Sequence, residues 1–550
     1  MSLPAMADPL LQVEDLSVSF HTDEGRVDAV RGVSFDVRPG EIVGLVGESG
    51  SGKSVAAMSC LRLIPMPPGE IRGGRALFGG RDLLRLPLEE LRRVRGAEIG
   101  IIFQEPMTAL SPLATVGWQL AETIRLHRPE TEFATAWNEG VAWLEKVGIP
   151  DAASRAHAFP YQFSGGMRQR VMIAMALLLE PRLIIADEPT TALDVTLQAQ
   201  IFELLLAMKR EDAAVLFITH DMGVIWELSD RVLVMKDGEV AERGPVDRIF
   251  RAPEQPYTRA LLQAVPRLDA EPPPRRAPVP GERPLVAVED LKTWFPVKRG
   301  VWARTVDHVK AVDGVSLEVF PGETLGIVGE SGSGKTTLGR SILRLDPVRG
   351  GSVRFEGEDL LAMRTAELRR RRRHLQMIFQ DPFSSLNPRF TVHEIVTEGL
   401  VEHGLLEPGE TSRDAAVRWL EEVGLKAEHA DRYPHEFSGG QRQRICIARA
   451  IAVRPRFVVC DEAVSALDVT IQALVIELLI ELRRKHGLSY LFISHDLSVV
   501  KKISDRVAVM RHGRIVEQGP TDRVIEHPEA DYTRRLIDAV PVPGGARKRR

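Results

Sequence analysis

Cysteine is scarce in this sequence. There are three among 550 residues, Cys60, Cys446 and Cys460, and no two form a CxxC pair. A disulfide framework or a zinc site is therefore not expected. Cys460 ends the apolar run FVVC and reads as a small buried hydrophobe. Such usage fits a reducing compartment. Long apolar runs are missing too. Stretches such as Val171–Leu179 (VMIAMALLL) fall short of the roughly 18 residues a membrane-spanning helix needs. The opening MSLPAMADPL lacks the basic-then-apolar pattern of a signal peptide. Nor does one sign of charge dominate: 72 Lys and Arg against 76 Asp and Glu leave a net −4, which gives no sign of a nucleic-acid binder. What is present is the composition of a globular protein, 44% hydrophobic and 27% charged. The length exceeds one core and implies roughly two to four domains.

The sequence is written twice. GESGSGK begins at Gly47 and again at Gly329; FSGGMRQR at Phe163 returns as FSGGQRQR at Phe437. ADEPTTALDVT at Ala186 returns as CDEAVSALDVT at Cys460, and LFITHD at Leu216 as LFISHD at Leu491. The offsets are 282 for Lys53 to Lys335, 274 for Glu188 to Glu462 and 275 for His220 to His495. A near-constant offset of half the chain means duplicated domains, not a short-period solenoid. The expected boundaries are a first domain 1–270, a proline-rich linker 271–284 (EPPPRRAPVPGERP) and a second domain 285–550. Each half has three apolar runs that read as buried parallel strands: EIVGLVG, RLIIAD and AVLFITH, then ETLGIVG, RFVVCD and SYLFISH. Helical stretches separate them, so the fold class is α/β with a mainly parallel sheet in each half. The motifs fall at strand ends, where such sheets bind ligands.

GxxxxGK[ST] occurs at Gly47–Ser54 and Gly329–Thr336, after a strand and before a helical segment. That context marks a phosphate-binding loop. Gly47, Gly50 and Gly52, with Gly329, Gly332 and Gly334, turn backbone N–H groups inward around phosphate oxygens. Lys53 and Lys335 are expected to reach the β- and γ-phosphates, and Ser54 and Thr336 to place a hydroxyl on Mg²⁺. Two acids end each central strand. Asp187 and Asp461 are expected to hold Mg²⁺ through water. Glu188 and Glu462, one residue on, are placed to orient or deprotonate the water that attacks the γ-phosphate. A DE pair alone is often a helix cap; downstream of a phosphate loop the catalytic reading prevails. His220 and His495 end the third strand, where a γ-phosphate contact competes with a structural role.

FSGGMRQR and FSGGQRQR resemble the signature motif of ATP-binding-cassette (ABC) ATPases, and the full motif order matches in both halves. The resemblance implies two tandem P-loop ABC-type ATPase domains, each with a helical signature subdomain, that bind ATP and Mg²⁺ at two composite sites. One site pairs Lys53, Asp187 and Glu188 with Ser438, Gly439, Gly440 and Gln441. The other pairs Lys335, Asp461 and Glu462 with Ser164, Gly165, Gly166 and Met167. SGG at a helix start also serves as an ordinary cap. By the same resemblance Gln104 and Gln380 form the Mg²⁺-sensing glutamine loop. Phe20 and Phe295 match the aromatic that stacks on adenine, with a core or surface phenylalanine in the strand-like stretches LSVSF and LKTWF as the rival reading and His21 or Trp294 as neighbouring alternatives for stacking. Asp194 and Asp468 belong to the loop that crosses the domain interface. Met167 stands where glutamine is usual, and neither catalytic glutamate is lost, so both sites are expected to be competent.

FQEPMTALSPLATVG, FQDPFSSLNPRFTVHE and the endings APEQPYTRALLQAVP and HPEADYTRRLIDAVP resemble the dipeptide and oligopeptide importer ATPases. This implies a peripheral subunit on the cytoplasmic face of the inner (plasma) membrane, partnered by two transmembrane permeases and an external solute-binding protein. Peptides, including glutathione, are the implied solutes, with nickel import as an alternative. No cysteine lies in either ending, so no iron–sulfur cluster is expected. A soluble twin-cassette translation factor is the rival from another class, but its long, charged, helical linker is not matched by the proline-rich segment here.

Overall fold

A computed structural model of the chain describes residues 8–22, 25–104, 109–189, 195–271, 274–276, 279, 281–299, 304–465, 467–545 and 547. By internal packing the chain forms two compact units, residues 1–265 with 541–550, and residues 266–540. The proline-rich segment 271–284 thus groups with the second unit.

The strands of the first unit are β1 (Leu11–Thr22), β2 (Gly25–Val37), β3 (Ile42–Val46), β4 (Gly69–Phe78), β5 (Arg81–Asp82), β6 (Ile99–Ile102), β7 (Leu183–Asp187), β8 (Ala214–Ile218), β9 (Arg231–Lys236) and β10 (Glu239–Pro245). They make a four-stranded sheet in the order β2-β1-β4-β5 and a six-stranded sheet in the order β10-β9-β3-β8-β7-β6. In the second sheet every pairing is parallel except β9 with β10. The apolar runs explain this. β7 and β8 are buried at every position, which an alternating sequence could not satisfy and a sheet covered on both faces requires. Each large apolar side chain so buried contributes about 1.5–3 kcal/mol. Ile185→Asp would place an unpaired charge among them.

The second unit repeats the plan with β11 (Val286–Arg299), β12 (Arg304–Val319), β13 (Thr324–Val328), β14 (Gly350–Phe355), β15 (Glu358–Asp359), β16 (Leu375–Ile378), β17 (Phe457–Asp461), β18 (Ser489–Ile493), β19 (Arg506–Arg511) and β20 (Arg514–Pro520). Its sheets run β12-β11-β14-β15 and β16-β17-β18-β13-β19-β20.

Helices Val116–His127, Phe133–Lys146 and Gly165–Leu177 build a helical layer in the first unit; Leu120, Ala136 and Val171 join its core cluster. Val392–Glu402, Ser412–Glu422 and Gly439–Ala452 are their counterparts. Register decides what the sheet presents. Ile218 at the end of β8 lies opposite Leu45 of β3 and Asp187 of β7. Gly47, Asp187–Glu188 and Thr219–His220 therefore emerge side by side at the C-terminal ends of these three parallel strands.

Candidate nucleotide sites

At the end of β3 the backbone turns sharply into the helix Lys53–Cys60. A Cβ on Gly47 would lie 2.3 Å from Met235 O and one on Gly52 2.3 Å from Ala29 O; for Gly329 and Gly334 the distances to Met510 O and Ala311 O are 2.1 and 2.0 Å. No side chain fits there. Gly50 and Gly332 face open space, and their φ of 79° is the reason for glycine. The buried Lys53 ammonium donates to Gly47 O (2.9 Å) and Glu48 O (2.8 Å), and Lys335 to Gly329 O (2.8 Å) and Glu330 O (2.9 Å). Each lysine thus holds its cation inside the loop.

At the strand ends, Ser54 Oγ donates to Asp187 Oδ1 at 2.7 Å and Thr336 Oγ1 to Asp461 Oδ1 at 2.9 Å. Burial pushes both aspartates up to about 6, against the opposing pull of those hydroxyls and of Lys53 or Lys335. A buried acid held next to a hydroxyl and an ammonium is suited to a cation that would restore its charge. The catalytic candidates leave the strand at once. Glu188 and Glu462 adopt φ of 44°, and their N–H groups donate to Ile218 O and Ile493 O. Both oxygens of each carboxylate are engaged. Gln104 Nε2 and Gln380 Nε2 donate to Oε2 at 2.8 Å, while His220 Nδ1 lies 3.2 Å and His495 Nδ1 3.4 Å from Oε1. Burial alone would lower the two histidines, but the hydrogen bond and charge of the glutamate raise both. Burial likewise opposes ionisation of Glu462, yet His495 and Lys335 hold it below the usual carboxylate range.

The structure thus gathers loop, hydroxyl, aspartate, glutamate, glutamine and histidine in each unit. The signature residues form a separate helix start, exposed at Ser164 and Gly165 and at Ser438 and Gly439. Ser164 Oγ accepts from Met167 N and Ser438 Oγ from Gln441 N, each at 3.4 Å. The two glycines of each motif differ. A Cβ on Gly166 or Gly440 would meet Leu197 at 2.5 Å or Ile471 at 2.4 Å, so those glycines serve local packing. Gly165 and Gly439 have nothing within 4 Å and leave their surface open to a close approach. The Gln441 side chain accepts from Ser438 N at 3.1 Å, completing a capping box. Met167 has no oxygen with which to do so.

Phe20 is half-buried against the core, 3.0 Å from a Cβ on Gly69, while exposed His21 lies 3.4 Å from Glu70. Phe295 is half-buried beside Val309. The Trp294 ring is engaged by Lys310 Nζ and Arg349 Cζ, each 4.7 Å from its centroid. Asp468 caps the helix Val469–His486 by accepting from Ile471 N at 3.1 Å. Asp194 lies outside the described residues. Two residues escaped the sequence reading. Tyr257 and Tyr532 meet the phosphate loops, their hydroxyls accepting from Glu48 N (3.3 Å) and Glu330 N (3.1 Å). Their signal was the YTR triplet that recurs at an offset of 275.

Two family models match. The ABC transporter model covers residues 30–191 and 312–465, and the oligopeptide/dipeptide transporter C-terminal region covers 241–292 and 516–550. The chain is 50% identical to the glutathione import ATP-binding protein GsiA of Escherichia coli (strain K12), over 99% of this chain and 91% of that protein. It is 49% identical to the protein of the same name from Shigella boydii serotype 4 (strain Sb227), with the same coverage. The chain belongs to the ATP-binding proteins of ABC transporters and is an ATPase with two cassettes in one polypeptide.

Proposed function

We propose that this chain powers the import of a small peptide, with glutathione the first candidate, from the cytoplasmic face of the inner membrane. Two transmembrane permeases and an external solute-binding protein are the partners this reading requires. It is carried by the near-full-length likeness to glutathione import ATP-binding proteins, which includes the C-terminal region after both cassettes. No helix among the described residues is long and apolar enough to cross a membrane, so in this reading the permeases supply the path.

We assign the residues the following roles. Loop N–H groups and Lys53 or Lys335 bind the ATP phosphates. Ser54, Asp187 and Gln104, and Thr336, Asp461 and Gln380, form an all-oxygen donor set suited to Mg²⁺, which when bound neutralises phosphate charge. Glu188 and Glu462 accept a proton from the attacking water, and His220 and His495 orient the carboxylate. Phe20 and Phe295 stack on adenine; Trp294, with its ring held by two cations, is less suited. Ser164, Gly165 and Gly166, and Ser438, Gly439, Gly440 and Gln441, cap the γ-phosphate bound by the other cassette's loop, and Asp194 and Asp468 belong to that shared interface. ATP then joins the cassettes and its hydrolysis releases them.

The test is ATPase stimulation of the complex reconstituted with its permeases, given glutathione, a dipeptide or nickel with the matching binding protein. Stimulation by glutathione or a dipeptide is expected. Stimulation by nickel alone, or sedimentation with ribosomes and never with permeases, would overturn the proposal.

A further inference from the structure

We infer that the start of each C-terminal region is a latch on the phosphate loop, with Tyr257 and Tyr532 as positioning residues for ATP binding. The inference rests on the ATP-site reading above. It begins from a contact that the chemistry of hydrolysis does not require. The second residue of each phosphate loop, Glu48 or Glu330, gives its backbone N–H to a tyrosine hydroxyl about two hundred residues away in sequence. A loop whose work is to aim N–H groups at phosphate has one of them committed to the protein, and that bond fixes where the neighbouring N–H groups point.

Each tyrosine is itself held from two sides, and the parts repeat at one offset of 275. Glu242 on β10 accepts from Glu254 N (2.9 Å) and Gln255 N (3.1 Å); Glu517 on β20 accepts from Glu529 N (2.8 Å) and Ala530 N (3.1 Å). These carboxylates pin the entry of helices Pro256–Ala264 and Asp531–Ala539, whose second residue is the tyrosine. Burial opposes ionisation of Glu242 and Glu517, but Thr258 or Thr533 and the two backbone N–H groups hold both below the usual range. A cation covers each ring, Lys236 Nζ 5.1 Å from Tyr257 and Arg511 Cζ 4.8 Å from Tyr532. Those cations lie at the ends of β9 and β19, the strands beside β3 and β13 from which the phosphate loops spring.

The match to the oligopeptide/dipeptide transporter C-terminal region begins at residues 241 and 516, one position before each clamping glutamate. The region's first task is therefore to set the loop geometry, and a shift of the ending would change the phosphate site without touching an ATP-contacting side chain.

Tyr257→Phe and Tyr532→Phe, singly and together in the full chain, test this. Glu242→Gln, at a carboxylate bonded to the helix entry at Glu254 N and Gln255 N, tests the same latch from a second position. Each removes one hydrogen bond, so the KM and Kd for MgATP should rise about 3–10-fold per altered site with kcat within about twofold. Glu242→Gln should shift them in the same direction. A fall in kcat and melting temperature at unchanged KM and Kd would mean that the tyrosines are only structural, and overturns the latch. Failure of the wild-type chain to bind ATP would instead overturn the site reading itself, so the two failures are distinguishable.

Discussion

Gln104 and Glu188 are bonded, amide to carboxylate, at 2.8 Å, and Gln380 and Glu462 repeat the bond at the same distance. A residue assigned to the metal is thus held on the residue assigned to the water. Its removal, in Gln104→Ala with Gln380→Ala, is expected to lower steady-state ATPase by roughly 10–100-fold and to leave ATP affinity within a few-fold. A faster enzyme would show that glutamine chiefly restrains the carboxylate.

Glu188→Gln with Glu462→Gln keeps shape and hydrogen-bonding capacity and removes the base. Turnover should fall by at least about 10²–10⁴ while ATP still binds. Steady-state hydrolysis near the wild-type rate in the double variant would refute the assignment.

Met167 denies the first signature helix the capping box that Gln441 gives the second. Met167→Gln should supply it, stabilising the helix start by about 0.5–1 kcal/mol. Hydrogen exchange at the Ser164 amide should slow, and in Gln441→Met exchange at Ser438 should quicken. Equal exchange in wild type and variant would show that the missing cap has no effect.

Burial lifts Asp187 and Asp461 from 3.8 to about 6, so the folded chain holds these protons more tightly than the unfolded one. The sign follows: their stabilisation is complete below pH 3.8 and is lost as pH rises through about 6. In urea titrations with divalent cations chelated, raising the pH from 5 to 7 should cost on the order of 1 kcal/mol per acid. Asp187→Asn with Asp461→Asn should flatten that slope. Mg²⁺ affinity should run the other way and weaken below about pH 6, because the ionised form is the one that holds a cation.

Much of this was legible because each motif sits where two independent rules agree. EIVGLVG, RLIIAD and AVLFITH are apolar without alternation, and they are the buried parallel strands β3, β7 and β8 in the interior of one sheet. Their ends carried Lys53, Asp187, Glu188 and His220, and adjacency followed from the order of those strands. Contacts set by tertiary geometry were not legible. Tyr257 reaches Glu48 only because a C-terminal helix returns over the loop, and no local pattern encodes that approach. The Trp294 ring likewise reads as a free aromatic until Lys310 and Arg349, distant in sequence, are seen over it. Gly165 and Gly166 are identical in sequence, yet only Gly166 is required by its own packing.

The proline-rich segment 271–284 joins two unlike cassettes in one chain. Stoichiometry is then fixed by translation: every chain carries one copy of each cassette. Linkage in one chain keeps the two cassettes together whatever the concentration of the protein. In the shared-site reading proposed above, activity per chain should hold constant on dilution, where a protein built from two separate subunits would lose it by mass action.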